Sequence, residues 1–350
     1  MIDTIPQTMK GVQLMGHGGP DMLAYREDIP VPAPTSNDVL IKVSAAGVNN
    51  TDINTRTAWY SKGDGDSADA GWSSNALDFP RIQGADVCGA IVAVGDNINR
   101  TRIGERVLIE PCLSEINSQP LSLPGYYGSE CDGGFAEYTT VAAKHAYAID
   151  STFSDSELAS FPCSYSTAEN MLTRATVSSC DKVLVSGASG GVGSAAVQLA
   201  KARGAYVIAI TSPSKRQQLL DLGADEVISR DDDLIETLGK NTLDVVIDLV
   251  AGESWSQFLD VLKPRGRYAV SGAIGGALVE LDVRTLYLKD LTFYGCTVLQ
   301  PEVFQNLVNC IEQRKIKPIV ACTFPLKDID KAQAAFLEKK HVGKIVLDVG

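Results

Sequence analysis

The residues best suited to bind a charged cofactor form a glycine-rich turn between an apolar run and a helical pattern. The segment VLVSGASGGVGSAAVQLAK (183–201) contains an A-x-G-x-x-G motif that includes Gly190 and Gly193. The first of these glycines lets the main chain approach a pyrophosphate, and the second lets helix and strand pack closely. Unpaired N–H groups at the helix start then face the phosphates. The turn predicts dinucleotide binding through Gly190, Gly191 and Val192.

The end of the next apolar run selects between the two nicotinamide cofactors. An NAD site usually has Asp or Glu there to bind the ribose hydroxyls. This chain instead reads TSPSKR (211–216), and the next acidic residue is Asp221. Because a carboxylate repels a 2′-phosphate whereas hydroxyls and a cation bind it, Ser212 and Lys215 predict NADP. Alternatively, Ser214 caps a helix and the cations are solvated; both interpretations can hold at once.

The elements that must position these residues form an alternating pattern beyond residue 180. Short apolar runs alternate with helical patterns, which is typical of βαβ units and a parallel sheet. The predicted strands are 182–187, 206–211, 226–228, 243–250, 267–272 and 291–296. The predicted helices are 191–204 and 214–224, which end at Gly204 and Gly223, and 254–262.

The first half of the chain has a different pattern, with short strands broken by turns and no long helix. The predicted strands are 38–49, 89–95, 105–110 and 134–141, which suggest a barrel-like β domain. Residues 56–80 form a long polar loop, and loops of this length are either flexible or functional. The tail, 324–349, predicts a helix and then a strand that rejoins this first domain.

Composition excludes several classes of protein. The 350 residues carry a net charge of −12 and include no basic run, which argues against nucleic acid or an anionic membrane as a partner. Apolar runs stay well short of a membrane span, and the first residues lack the apolar core of a signal peptide. The eight cysteines are scattered without a C-x-x-C pair. We therefore expect reduced thiols in a cytoplasmic protein.

Taken together, several motifs resemble the medium-chain dehydrogenase/reductase superfamily. They are GGPDMLAYRE (18–27), DVLIKVSAAGVNNTD (38–52), IQGADVCGAIVAVG (82–95), IGERVLI (103–109), DGGFAEYTTV (132–141), FPCSYSTAENML (161–172), the glycine turn and GKIVLDV (343–349). The resemblance implies an α/β protein. A GroES-like β-barrel catalytic domain would comprise residues 1–154 and 299–350, and a Rossmann domain with a doubly wound parallel sheet would comprise residues 155–298. It also implies a homodimer.

The positions that carry zinc ligands in the resembled family differ in this chain. Zinc alcohol dehydrogenases of the superfamily read G-x-C-x-x-D, then G-H-E, then a third ligand upstream of the glycine turn. Here Asn49 stands at the first position, Ala85 followed by Asp86 at the second, and only Cys163 matches a cysteine ligand. One thiolate and one carboxylate do not make the three-ligand site of a catalytic zinc. We therefore predict no metal.

The chemistry that remains is hydride addition to an activated acceptor. Taking hydride from an alcohol needs a Lewis acid for the developing alkoxide. Adding hydride to an enone or quinone moves charge onto an oxygen that hydrogen-bond donors can stabilise. The zinc-free branch resembled here contains quinone oxidoreductases and 2-enoyl reductases, which perform this reaction. We expect an NADPH-dependent, zinc-independent oxidoreductase that acts on a small quinone, enone or other activated alkene or carbonyl.

The resemblance also suggests the catalytic residues. The stretch VNNTDINTRTAWY (48–60) is similar to the N-P-S-D-I-N segment of enoyl reductases, which a tyrosine follows. Tyr60 is the candidate proton donor or oxyanion partner, since a phenol can serve as either; alternatively it is a loop aromatic beside Trp59. Asn49 would contact substrate or the nicotinamide ribose, or is a turn residue at a strand end. Asp52 is expected to orient the loop.

Further cofactor contacts follow from the resemblance by position. They are Thr167, Val250, Ser271, Gly272 and Lys344. Val250 and Ser271 lie at the carboxyl ends of predicted strands, where doubly wound sheets bind ligands. Each of these residues is equally compatible with ordinary packing.

Three alternatives stay open at this point. The first is a zinc-type alcohol dehydrogenase with atypical ligands, such as Cys163, Asp86 and a histidine from elsewhere. The second is a non-catalytic NADPH-binding protein that senses the cofactor or binds RNA. The third is a structural paralogue such as a lens crystallin.

Overall fold

The computed structural model describes residues 5–62 and 70–350, which divide into two compact units. The first unit comprises the described residues up to Cys163 together with Pro318–Lys340 and Lys344–Gly350. The second comprises Ser164–Lys317 and His341–Gly343. Both boundaries fall later in the chain than residues 154 and 298, where the sequence analysis places them.

Numbered along the chain, the strands are β1 (Thr8–Leu14), β2 (Leu23–Pro30), β3 (Asp38–Val48), β4 (Arg81–Ile82), β5 (Asp86–Val94), β6 (Arg106–Ile109), β7 (Cys112–Ile116), β8 (Gln119–Tyr126), β9 (Tyr138–Ala142), β10 (Ala146–Ala148), β11 (Lys182–Val185), β12 (Tyr206–Thr211), β13 (Glu226–Ser229), β14 (Leu243–Asp248), β15 (Leu262–Val270), β16 (Thr292–Gly295), β17 (Val320–Pro325) and β18 (Lys344–Asp348). The α-helices are α1 (Asn50–Arg56), α2 (Asp155–Leu158), α3 (Pro162–Arg174), α4 (Gly191–Ala202), α5 (Arg216–Asp221), α6 (Leu234–Leu238), α7 (Trp255–Val261), α8 (Val283–Leu288), α9 (Val303–Glu312) and α10 (Ile329–Leu337).

The second unit is built around one parallel sheet. Its strand order is β13-β12-β11-β14-β15-β16, with every neighbouring pair parallel. The order reverses between β11 and β14, which is the switch point of a doubly wound sheet. The predicted strands and helices of this half of the chain are confirmed. Their apolar runs were a reliable signal because the strands of a parallel sheet are buried on both faces.

Glycines end the two helices that follow the first strands of this sheet. Gly204 and Gly223 have φ angles of 84° and 105°, the left-handed region that a residue with a Cβ rarely adopts. They stand just beyond α4 and α5, as the sequence predicts. Helix α9, absent from the sequence prediction, buries Val303, Phe304, Leu307, Val308 and Ile311. It belongs to the second unit, which moves the boundary past residue 298.

The first unit consists mainly of antiparallel strands. Its largest sheet has seven strands: the path β10-β6-β5-β3-β18-β17, with β9 also paired to β3. A three-stranded sheet, β2-β1-β4, and the hairpin β7-β8 accompany it. Strand β18 pairs with β3, which confirms that the tail rejoins this unit. The sheet orders in the described residues have open ends, and the two units together make a two-domain α/β fold.

Among residues 5–62 and 70–350, every helix is too short or too polar to cross a membrane. The predicted loop, 56–80, is described only in part, because residues 63–69 lie outside the described ranges.

Candidate functional site

Strand pairing in the first unit brings three polar side chains together. Asn49 follows β3, Asp86 begins β5 and Lys344 begins β18, and β3 lies between the other two strands. The Lys344 ammonium lies 2.7 Å from Asp86 Oδ2 and donates to Val48 O at 3.0 Å and to Asn49 Oδ1. Asn49 Nδ2 donates to Asp86 Oδ2 at 2.8 Å. The result is a closed triangle of amide, carboxylate and ammonium.

The triangle is almost completely withdrawn from solvent. The side chains of Lys344 and Asp86 are 2% and 0% exposed. Isolated charges at such depth would cost several kcal/mol each, so they persist only as a compensated pair. Gly47 makes room for the pair, since a Cβ there would stand 2.5 Å from Asp86 Oδ2.

Cys163 and Tyr126 extend this cluster. The main-chain N–H of Cys163 donates to Asp86 Oδ1 at 2.5 Å, and its thiol lies 3.1 Å from the Tyr126 hydroxyl. Burial, with a smaller contribution from the Asp86 carboxylate, raises the pKa of the Cys163 thiol to about 12. Burial also raises the pKa of Tyr126 well above its usual range. Both groups therefore stay protonated near neutral pH.

Asp52 and Gln83 hold the segment that follows β3. Asp52 Oδ2 accepts the Asn49 main-chain N–H at 2.7 Å, and Gln83 Nε2 donates to Asp52 O at 2.9 Å. Burial raises the pKa of the Asp52 carboxyl to about 7, against the lowering effects of the Asn49 N–H and the Lys344 charge. Asp52 thus fixes the main chain at Asn49, as expected of a residue that orients the loop.

The three positions that correspond to zinc ligands in the resembled family do converge, but their chemistry does not fit the metal. Asn49 offers an amide, Asp86 is already paired with an ammonium, and Cys163 alone offers a thiol. A catalytic zinc takes three protein ligands from deprotonated Cys, neutral His or carboxylate. Across the described ranges, no group of three or more His, Cys, Asp or Glu side chains could hold a metal ion.

Tyr60 lies in the first unit, as the Asp86 cluster does, and is half-buried. Its hydroxyl donates to Thr51 Oγ1 at 3.2 Å, and its ring meets Trp59 edge to face, with the centroids 5.6 Å apart. Burial raises the pKa of Tyr60, with lesser contributions in the same direction from Cys163 and Asp52. The phenol is therefore held protonated, as a proton donor requires.

In the second unit, the glycine turn has the form the sequence predicts. Gly190 caps α4, so the first N–H groups of that helix, from Gly191 and Val192, point out of its end. Gly187 has φ 56°, and a Cβ on Gly193 would collide with the Gly187 carbonyl oxygen. Helix α4 and strand β11 therefore approach as closely as a pyrophosphate cradle requires.

Lys215 lies beside this turn. Its ammonium donates to Ser189 Oγ at 3.4 Å and to His341 O at 2.9 Å. Burial, and then the charge of Arg230, lowers the pKa of Lys215. Thr211 Oγ1, at the end of β12, is buried without a hydrogen-bond partner among the described residues. The turn therefore has an ammonium and an unpartnered buried hydroxyl nearby, which could hold polar parts of a nicotinamide cofactor.

Val250, Ser271 and Gly272 follow the carboxyl ends of β14 and β15. Val250 faces the turn, since a Cβ on Gly187 would stand 3.1 Å from Val250 Cγ2. Ser271 Oγ donates to Cys296 O at 2.6 Å, so its hydroxyl joins the segment after β15 to the segment after β16.

The loop after β14 rests on Asp248, a buried residue that sequence reasoning missed. Asp248 accepts hydrogen bonds from Ser186 Oγ at 2.5 Å, Tyr268 OH at 2.5 Å and Val250 N at 2.9 Å. The sequence does carry a signal for this role, since Asp248 is the acidic residue that ends an apolar strand. A carboxylate buried there needs hydrogen-bond donors from the segments around it.

The two remaining expected cofactor contacts, Thr167 and Lys344, belong to different units. Thr167 lies on α3 in the second unit and is half-buried. Lys344 lies in the interior of the first unit, where its ammonium is engaged by Asp86, Asn49 and the Val48 carbonyl. In the sequence, Asp86 and Lys344 each stand as a lone charge at the start of an apolar run, β5 and β18. A buried charge implies an ion-pair partner, but the sequence does not identify that partner.

Comparisons with known proteins agree with the two units. Residues 35–151 match the alcohol dehydrogenase GroES-like domain, and residues 191–313 match the zinc-binding dehydrogenase family. The chain is 30% identical to quinone oxidoreductase from Homo sapiens over 97% of each protein. It is 29% identical to acryloyl-coenzyme A reductase from Metallosphaera sedula, with 97% of this chain and 99% of that protein covered.

A solved structure from Sinorhizobium meliloti 1021, provisionally named as an alcohol dehydrogenase, is 43% identical to this chain. It superposes with a TM-score of 0.91 over 99% of this chain and 98% of that one. Matches to both domain families, and to relatives along nearly the whole length, show that the chain belongs to the medium-chain dehydrogenase/reductase superfamily and is an oxidoreductase.

Proposed function

We propose that the chain is an NADPH-dependent, zinc-independent reductase of activated double bonds or quinones. The observation that carries this proposal is the composition of the cluster around Asp86. An amide, a carboxylate already paired with an ammonium, and a single thiol stand where zinc dehydrogenases have ligands. The Asn49 amide can donate a hydrogen bond to a substrate oxygen, whereas the cluster supplies no Lewis acid.

The bound reduced nicotinamide would supply the hydride. The main-chain N–H groups of Gly191 and Val192 would bind its pyrophosphate. Ser212 and Lys215 would bind the 2′-phosphate, because the segment directly after β12, SPSKR (212–216), has no carboxylate to favour free ribose hydroxyls. Lys215 is already held beside the turn through Ser189.

Asn49 would stabilise the negative charge that develops on the substrate oxygen. One of its Nδ2 protons goes to Asp86 at 2.8 Å, while the other has only a long contact of 3.4 Å with Gly47 O. That second N–H can therefore be given to an enolate or hydroquinone oxygen. Tyr60, held protonated by burial, would then donate the proton.

The relatives support this class of substrate. Quinone oxidoreductase and acryloyl-coenzyme A reductase are names for reductions of a quinone and of an activated alkene. The direct test is NADPH oxidation by purified protein with a panel of quinones, enones, enoyl thioesters and aldehydes, repeated with NADH. We expect turnover on at least one quinone or enone with preference for NADPH. Tight NADPH binding without turnover of any acceptor would indicate a non-catalytic protein instead.

Tyr60→Phe tests the proton donor. Loss of a general acid costs about 10²–10⁴-fold in rate, so kcat should fall by that order while the KM for NADPH stays constant. Tyr206→Phe is the matched control, since Tyr206 is an exposed tyrosine of the second unit. Equal kcat values for the two variants would remove Tyr60 from the mechanism.

A further inference from the structure

The Lys344 ammonium is hydrogen-bonded to its full capacity. Lysine has three N–H donors and no acceptor. Three protein oxygens surround Nζ, namely Asp86 Oδ2 at 2.7 Å, Val48 O at 3.0 Å and Asn49 Oδ1. With every donor engaged, Lys344 can act on a substrate or a cofactor only through a neighbouring group.

That neighbour is the Asn49 amide. An ammonium can be bonded only by the amide oxygen, whereas the Asp86 carboxylate can be bonded only by the amide nitrogen. With a cation at one end and an anion at the other, the side chain cannot flip by 180° without facing two repulsive contacts. The pair therefore fixes Nδ2 on the side of Asp86 and polarises its N–H bonds.

The same ammonium balances the charge that a divalent ion would otherwise have to balance. Asp86 is the one carboxylate among the three converging positions, and Lys344 is its ion-pair partner with both side chains withdrawn from solvent. A metal ion would have to displace Lys344 from Asp86 and leave a buried ammonium without its counter-ion. That exchange is unfavourable.

We propose that Lys344 is a built-in cation of this site: it takes the charge-balancing place of a metal ion beside Asp86 and positions the Asn49 amide as a hydrogen-bond donor. Lys344 is thus a positioning residue of the first unit rather than a contact of the cofactor. The consequence for turnover rests on the proposed function, in which Asn49 serves the substrate oxygen.

The kinetic test compares Lys344→Met, Asn49→Ala and the double variant with the best acceptor. A misplacement of about 1 Å can cost about a hundredfold in rate, so Lys344→Met should lower kcat by up to about that factor with the KM for NADPH unchanged. Lys344→Arg, which keeps a cation, should recover part of kcat. In the Asn49→Ala background, Lys344→Met should cause no further loss. A raised KM for NADPH with unchanged kcat, or fully additive losses, would overturn the proposal.

Two measurements do not depend on turnover and separate this inference from the proposed function. Side-chain amide protons of Asn49, identified by their loss in Asn49→Asp, should exchange slowly with solvent in the wild type and much faster in Lys344→Met. Equal exchange rates would refute the positioning role. Wild-type protein equilibrated with zinc and then dialysed should retain no stoichiometric ion; one zinc per chain that Asp86→Asn removes would refute the built-in cation.

Lys344→Met leaves a buried carboxylate without its partner and could fail to fold. In that case Lys344→Met/Asp86→Asn, which removes both charges, replaces it in each comparison. The neutral pair should fold, and its Asn49 amide should still exchange faster than in the wild type, because neither charge orients it. Slow exchange in the double variant would show that packing alone fixes the amide.

Discussion

Burial, rather than distance, should decide how strongly Lys344 and Asp86 are coupled. Another lysine–aspartate pair, Lys331 and Asp328, has an N···O distance of 2.7 Å, equal to that of the buried pair. Its side chains are 64% and 26% exposed, against 2% and 0% for Lys344 and Asp86. The two pairs share residue types and N···O distance and differ strongly in solvent access.

The perturbation is a double-mutant cycle at each pair, with Lys→Met and Asp→Asn substitutions. Removing one partner of a buried pair leaves an uncompensated charge and costs about 3–5 kcal/mol, whereas removing both leaves a neutral site. We therefore expect each single substitution at Lys344 or Asp86 to cost about that amount and the double to cost far less than their sum. The coupling energy should exceed about 2 kcal/mol.

At the exposed pair, the cycle should give about 0.2–1 kcal/mol, because water screens the charges. The assay is urea unfolding of the full chain, followed by tryptophan fluorescence and circular dichroism. A coupling energy for Lys344 and Asp86 no larger than that for Lys331 and Asp328 would refute the argument. It would mean that water or a mobile side chain compensates the buried charges.

Three further results are expected. Burial raises the pKa of the Asp52 carboxyl to about 7, so this group binds a proton more tightly in the folded chain than in the unfolded one. The free energy of unfolding should therefore fall as the pH rises from about 4 to about 7, by about 1.4 kcal/mol per pKa unit of the shift. In urea titrations, Asp52→Asn should flatten that part of the pH profile. Lys215→Ala should raise the KM for NADPH about tenfold or more, the scale of a lost charge-assisted hydrogen bond, with little change for NADH in steady-state assays. We propose a homodimer formed through the open edge strand β16 and the exposed leucines of the same unit, Leu278 and Leu288, which are 95% and 70% exposed. Leu288→Lys should yield monomers by light scattering, whereas Leu123→Lys, at an exposed leucine of β8, should not.

Much of the second unit could be predicted from the sequence because its signals are local. Apolar runs such as YVIAIT (206–211) become β12 without a change of boundary, and Gly204 and Gly223 end helices where left-handed backbone is required. In the first unit, the hairpin β7–β8 was missed. Its second strand, QPLSLPGY (119–126), contains two prolines and is exposed at half of its positions without alternation, so it lacks the pattern on which strand prediction depends.

The site was predictable in its members but not in its contacts. Motif positions identify Asn49, Asp86 and Cys163, and the structure places all three in one cluster. The partner of Asp86 could not be read from the sequence, since β5 and β18 lie far apart in the chain and a lone lysine before an apolar run is compatible with several roles. Motif resemblance names Lys344 as a cofactor contact, which stays a prediction, whereas strand pairing determines its contacts within the first unit.

Strand register explains why these positions converge although their residue types have changed. In the central sheet of the first unit, Gly47 of β3 pairs with Asp86 of β5, and the adjacent Val48 pairs with Ile345 of β18. Asn49 and Lys344 then follow directly beyond the paired residues, so the sheet itself brings amide, carboxylate and ammonium together. A shift of one residue in either pairing would send the side chains to the opposite face. The scaffold therefore specifies where charge can be placed, and the residue types decide whether that place suits a metal ion or an internal cation.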